Sequence, residues 1–138
     1  MAIVSIKEDN IHLLKDFIEN MGTASKSFRY YNSRSIEVIK NHLATLLIVE
    51  NDKPIAYGHL DTEDNVVWLG VCVLPAFLGK GHGNNMMSEL LKTAKKMHVL
   101  KIQLTVDKDN KTAISLYEKF NFKKERGFED NFQYGFEF

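Results

Sequence analysis

Three groups of residues have types and spacings suited to chemistry. The first is "VLPAFLGKGHGNNMM" at residues 73–87, where Gly79, Gly81 and Gly83 alternate with Lys80 and His82. Residues without a Cβ let the backbone curl until several N–H groups converge, and a helix beginning there adds the positive end of its dipole. This is the physics of an anion cradle. A tight turn in which glycine only relieves sterics is the ordinary alternative, and the loop alone favours neither. The phosphate loop of nucleotide hydrolases is excluded, because its glycine spacing and the Ser or Thr after Gly-Lys are absent. The dinucleotide pattern Gly-x-Gly-x-x-Gly fails at Asn84.

The second group is Tyr57, His59 and Asp61, which lie at period two and share one face of a strand. His59 or Asp61, directly or through water, is the candidate base. A surface histidine and a turn aspartate form the competing explanation. The third is Tyr117, whose phenol is either a proton donor or a core aromatic on an apolar helical stripe. Cys72 is the sole cysteine, which excludes an intramolecular disulfide and a paired-thiolate zinc site. His12, His42 and His98 are scattered and read as surface or packing residues.

These groups need elements to hold them. Residues 2–7 read as a strand, and Ile11, Leu14, Phe17, Ile18 and Met21 recur at helical spacing behind a candidate cap, Asn10. The polar and aromatic "GTASKSFRYYNS" reads as loop, and Ser35 as the cap of a short second helix. "ATLLIVE", "IAYGHLD" and "VVWLGVCVL", broken by "NDKP" and "TEDN", form an antiparallel meander. After the glycine loop, Met86, Met87, Leu90, Leu91 and Ala94 make a helical stripe, and "KIQLTVD" is a strand. A strand, helix and strand with no room for a return hairpin require a parallel pair with a right-handed crossover. "NKTAISLYEKFN" adds a helix capped by Asn110, and "FKKERGF" with "NFQYGFEF" closes as a hairpin.

At 138 residues the chain is expected to be one domain, residues 1–138. Eighteen basic residues balance eighteen acidic ones, which disfavours nucleic acid and anionic membranes as partners. No leader pattern and no apolar run of ~20 residues is present, so a cytoplasmic protein is expected.

The strand ending "VCVLP", then "AFLGKGHG", a helix, "IQLTVD" and "NKTAISLYEKFNF" together closely resemble the GNAT superfamily of N-acetyltransferases over about residues 44–122. The resemblance implies an α/β fold of the α+β type, with a mixed, mostly antiparallel sheet of six to seven strands and helices on both faces. It implies acetyl-CoA as co-substrate. The backbone around Cys72 and Val73 would meet the thioester and pantetheine arm, and Leu78, Gly79, Lys80, Gly81, His82, Gly83 and Asn84 the diphosphate. Tyr117 would protonate the departing thiolate, and Asn110 would touch the cofactor besides capping its helix. Two residues depart from the family. Leu78 stands where arginine or glutamine is usual, which removes a phosphate contact and leaves Lys80 to supply charge. Asn121 stands where glycine is usual, and asparagine is the next-best residue for a left-handed helix terminus. His82 falls where the family is usually aliphatic or tyrosine.

Many members carry a glutamate on the strand corresponding to "VVWLGVCV", which here holds no acid; the base then falls to His59 or Asp61. A covalent acetyl-cysteine on Cys72 is disfavoured, since thiols within apolar strands are buried and inert. The expected function is direct acetyl transfer, within a ternary complex, to the primary amine of a small molecule such as an amino sugar or sugar nucleotide. Arg29 and Arg34, beside Phe28, Tyr30 and Tyr31, are the candidates for holding an anionic or planar part of it. The competing readings are a non-catalytic acyl-CoA-binding module, a protein N-acetyltransferase, and an interaction domain. The aromatic C-terminal strand, read as an exposed edge, suggests a homodimer.

Overall fold

The computed structural model describes all 138 residues, Met1–Phe138. The strands are β1 (Ala2–Ser5), β2 (His42–Glu50), β3 (Lys53–Glu63), β4 (Val66–Val73), β5 (Lys101–Asp107), β6 (Lys123–Gly127) and β7 (Asn131–Glu137). The helices are α1 (Ile11–Glu19), α2 (His82–Lys96) and α3 (Lys111–Lys119), and short 3₁₀ turns fill residues 22–41. One seven-stranded sheet results, in the order β1-β2-β3-β4-β5-β7-β6. Only β4 and β5 run parallel, so the sheet is mixed and mostly antiparallel as expected.

The meander follows from its turns. Asn51 and Asp52 (φ 52° and 63°) and Asp64 and Asn65 (φ 53° and 63°) take the left-handed geometry of two-residue hairpins, which asparagine and aspartate tolerate best. Pro54 belongs to β3, beside an irregularity in its register with β2, where a missing N–H is tolerated. Asn10 precedes α1 but does not cap it. Its Oδ1 accepts from Lys7 N at 2.7 Å, and its Nδ2 donates to Ser5 O at 2.9 Å, which ties the helix back to β1. Ser35 does cap, accepting from Glu37 N at 3.2 Å, although the helix it starts is 3₁₀. Asn121 closes α3 with φ 69°.

The register of β3 and β4 pairs Tyr57 with Cys72, His59 with Gly70 and Asp61 with Trp68, so the five side chains and Gly70 share one face. On that face Leu14 and Phe17 of α1 pack with Leu47, Tyr57 and Cys72. The other face buries Ile48, Ala56 and Leu60 against Met86, Leu90 and Ala94 of α2. Helices therefore flank both faces. The aromatic C-terminal strand is not an edge: β7 lies between β5 and β6. The edge is β6, fully exposed, charged at Lys123, Lys124, Glu125 and Arg126, and irregular in register. A short, charged, bulged edge discourages strand pairing, so the C-terminal strand does not offer the free edge on which the expected dimer rests.

The tightest approach between layers is at Gly58, where an added Cβ would lie 2.5 Å from Met86 Sδ and 2.9 Å from Leu90 Cδ1. Both neighbours are fully buried. Gly58→Ala is expected to cost ~1–3 kcal/mol by overpacking, read as a lower urea midpoint with an unchanged denaturant slope.

Candidate active site

The site begins where the parallel pair fails. β4 and β5 pair only at Val67–Ile102 and Trp68–Gln103. Beyond these residues the strands part, and a cavity of about 860 Å³ opens between and around them. The alternation of the antiparallel ladder decides which peptide groups face it. Leu74 N donates to Ile55 O at 3.0 Å, so Ile55–Leu74, Tyr57–Cys72 and His59–Gly70 are the hydrogen-bonded pairs. The peptide groups of Val71 and Val73 consequently turn away from β3, toward the opening. This corrects the expectation for Cys72, whose peptide is occupied by β3. Its thiol is also unsuited to covalent chemistry, because burial pushes its pKa up to about 12.

The glycine loop closes one end of the cavity. Gly79 and Gly81 adopt φ 74° and 88°, and the space a Cβ would take is open at both. The first helical bond of α2 is Asn85 N to Gly81 O, and no N–H from Gly79 to Asn84 reaches an acceptor in the chain. Six consecutive amides at the positive end of a helix thus stay free, which fits a diphosphate. The side chains contribute unequally. Leu78 is 54% exposed at the rim. Lys80 Nζ lies 5.4 Å from the Phe77 ring centroid, outside the cavity lining. His82 is turned inward and buried, its ring edge-on to Phe77 and its Nδ1 without a partner.

A second lysine reaches the loop from α3. Lys119 Nζ donates to Asn84 Oδ1 at 3.0 Å and lines the cavity. Sequence reasoning missed it, although Thr112, Leu116 and Lys119 recur at helical spacing and all line the cavity. Asn110 also lines it while capping α3, its Oδ1 accepting from Ala113 N at 3.3 Å. Tyr117 reaches the cavity from the same helix. Burial, and then the nearby Cys72, raise its pKa, so the phenol holds its proton.

His59 and Asp61 face the opposite end. Asp61 is only 6% exposed and forms no ion pair; its Oδ2 accepts from the Tyr30 hydroxyl at 2.7 Å. Because Tyr30 spends its proton on Asp61, the 2.8 Å contact between Tyr30 and His42 requires His42 Nε2 to donate. Burial lowers the pKa of His42, and a neutral ring with Nε2–H then accepts at Nδ1 from Thr45 Oγ1, 2.8 Å away. Thr45, His42 and Tyr30 form one chain whose donors all point toward the carboxylate. His59 is 3% exposed and bonds Tyr57 Oη through Nδ1 at 2.6 Å. Burial, then the charges of His42 and Arg34, hold its pKa well below the usual value. Its ring lies against β4 because residue 70 is glycine: a Cβ there would meet His59 Nε2 at 2.7 Å.

The arginines differ from expectation. Arg29 is committed to Asp107 through two bonds of 2.9 and 2.8 Å, and Arg34 lies over the Tyr30 ring at 4.3 Å while donating to Tyr30 O. Arg29 therefore fastens the aromatic wall to β5 and is not free for an anionic acceptor.

The acetyltransferase (GNAT) family profile matches residues 10–122. The chain belongs to this family. GNAT enzymes are acyltransferases with acetyl-CoA as co-substrate, and the free amides of the loop fit that assignment. The fold is similar to that of PaiA N-acetyltransferase from Thermoplasma acidophilum, solved with coenzyme A (TM-score 0.79, 22% identity, 100% of both chains). It is also similar to a GNAT acetyltransferase from Streptococcus pneumoniae (TM-score 0.83, 18% identity, 99% of this chain and 98% of that one). A third is the ribosomal-protein-S18-alanine N-acetyltransferase of Escherichia coli (TM-score 0.74, 18% identity, 99% and 92%). No curated protein sequence matches. No helix is long and apolar enough to cross a membrane.

The two neutral histidines make stability depend on pH. The folded pKa of each lies below its ordinary value of 6.5, so on acidification the unfolded chain binds protons first. Their contribution is complete above that value and is lost as pH falls through it. Thermal unfolding is expected to shift to lower temperature between about pH 7 and about pH 5, with a shallower slope in the His42→Gln, His59→Gln double variant.

Proposed function

We propose that this GNAT enzyme acetylates the primary amine of a small molecule that enters as an alkylammonium from the Asp61 side. The observation that carries the reading is the buried Asp61 carboxylate without a cation, at the end of the cavity opposite the six free amides. A desolvated anion lacking a counter-ion is costly, and an ammonium relieves that cost where a neutral or anionic group does not. Phe28, Tyr30 and Trp68 line the same end with aromatic surface suited to a cation or an alkyl chain. With Arg29 bound to Asp107, only Arg34, which lies over the Tyr30 ring, is left on the cavity wall for the phosphates of a sugar nucleotide, and a simpler amine makes no such demand.

Acetyl-CoA supplies the acetyl thioester. The loop amides from Gly79 to Asn84 and the Lys119 ammonium would hold its diphosphate, which offsets the loss of a charged side chain at Leu78. The N–H groups of Val71 and Val73, aimed into the opening, would polarise the thioester carbonyl. Asp61 receives the acceptor, and His59, neutral and two residues along the same face, takes the proton the nitrogen must lose. Tyr117 gives its proton to the departing sulfur. No acid on β4 is required, because β3 supplies both polar groups.

Thiol release measured against a panel of amines tests this. Alkylamines are expected to be turned over and amines bearing phosphate or carboxylate disfavoured; Asp61→Asn is expected to raise the amine KM with little change in that for acetyl-CoA. Turnover of anionic acceptors alone would refute the reading. In Tyr117→Phe, kcat is expected to fall ~10²-fold with the acetyl-CoA KM little changed.

A further inference from the structure

Acetylating an alkylammonium releases one proton per turnover, since nitrogen loses two protons, one of which replaces the proton that Tyr117 gives to sulfur while the other goes to solvent. That second proton must reach solvent while acceptor and coenzyme occupy the cavity. His59 is a poor place to leave it. The ring is enclosed by Phe28, Tyr30, His42 and Tyr57, and the positive charge of Arg34 acts on it as well. What lies behind His59 is a second feature that the acetyl-transfer chemistry does not use. Tyr57 Oη, wholly buried, is 2.6 Å from His59 Nδ1 and 2.7 Å from Tyr31 Oη. Tyr31 lines a separate cavity of about 230 Å³, together with Lys15, Glu19 and Arg34. Lys15 and Glu19 are exposed.

Resting on the assignment of His59 as base, we infer that His59, Tyr57 and Tyr31 form a proton relay connecting the acceptor end of the active site to this second opening. The bonds balance as follows. The nitrogen gives a proton to His59 Nε2; Nδ1–H passes to Tyr57 Oη; the Tyr57 hydroxyl proton passes to Tyr31 Oη; and the Tyr31 hydroxyl proton leaves to water. No buried imidazolium and no tyrosinate is formed, which matters because burial disfavours both charges here. The chain is then polarised in the opposite sense, with Tyr31 donating to Tyr57 and Tyr57 to Nδ1. After product leaves, Nε2–H is lost to water in the emptied cavity, and the relay returns a proton to Nδ1. Tyr31 is thus a positioning and relay residue that never touches substrate.

The decisive variant is Tyr31→Phe, which keeps the Tyr57–His59 bond but removes the exit. Single-turnover and steady-state thiol release are expected to show kcat lowered roughly tenfold, less than the ~10²-fold of losing acid–base assistance outright. Both KM values should hold, and added imidazole, a small proton carrier, should restore the rate. Tyr57→Phe should show the same rate loss. Wild-type kcat in Tyr31→Phe, a loss that imidazole does not restore, or a raised amine KM in place of a lowered kcat would each overturn the relay. His59→Gln separates the two layers of the argument: if it is impaired while Tyr31→Phe is not, the base stands and the relay falls; if neither is impaired, the base assignment itself is wrong.

Discussion

The constraint on which the active site depends is the early parting of β4 from β5. A strand in the middle of a sheet must satisfy its peptide groups on both sides, and β4 does so toward β3 along its whole length. Toward β5 it does so for two residue pairs only. Whatever occupies the opening must therefore carry its own donors and acceptors, and an extended, amide-bearing arm such as that of coenzyme A meets the requirement. The free amides of the glycine loop continue this logic at the next turn of the chain. On the proposed reading, recognition rests on backbone geometry first, with Lys119 near the loop where residue 78 is leucine.

The acceptor half is built on the opposite principle. It is a cluster of buried polar side chains, stable because each is satisfied by the next. Two hydrogen-bonded chains run side by side, one from Thr45 through His42 and Tyr30 to Asp61, the other from Tyr31 through Tyr57 to His59. Such networks strengthen one another in a low dielectric and fix side-chain orientation closely. Keeping both imidazoles neutral stabilises the fold near neutral pH and leaves Asp61, bonded to Tyr30, as the one buried acidic side chain. The aromatic rings that surround the network bury apolar surface as well, so this half is both packing core and polar site. Gly70 is the hinge between those roles, since only glycine lets the His59 ring lie on β4.

The bidentate contact of Arg29 with Asp107 joins the irregular segment 22–41 to the far strand of the opening. With Arg29 more than half exposed, its net contribution to stability is small. Its value lies in geometry. It holds Tyr30, the next residue, at a fixed distance from Asp61, and through Tyr30 it steadies the carboxylate.

Much was determined by the sequence alone. Period-two alternation and Asn/Asp turns specify the β2–β4 meander, alternating glycines specify a loop that must curl, and the strand–helix–strand order specifies one parallel pair. These are local signals, set by backbone sterics and side-chain periodicity within a few residues. Tyr57, His59 and Asp61 were legible as one face of a strand for the same reason. What only the tertiary structure decided depends on distance across the fold. Lys119 reaches a loop thirty-five residues away, while the adjacent Lys80 turns outside. Tyr30 and Tyr31 become network members because an irregular segment folds over β3, which no periodicity announces, and His42 because β2 pairs it with Asp61. The insertion of β7 between β5 and β6 made an aromatic strand interior. The Val71 and Val73 amides are exposed by hydrogen-bond phase between strands, which no single strand's sequence contains.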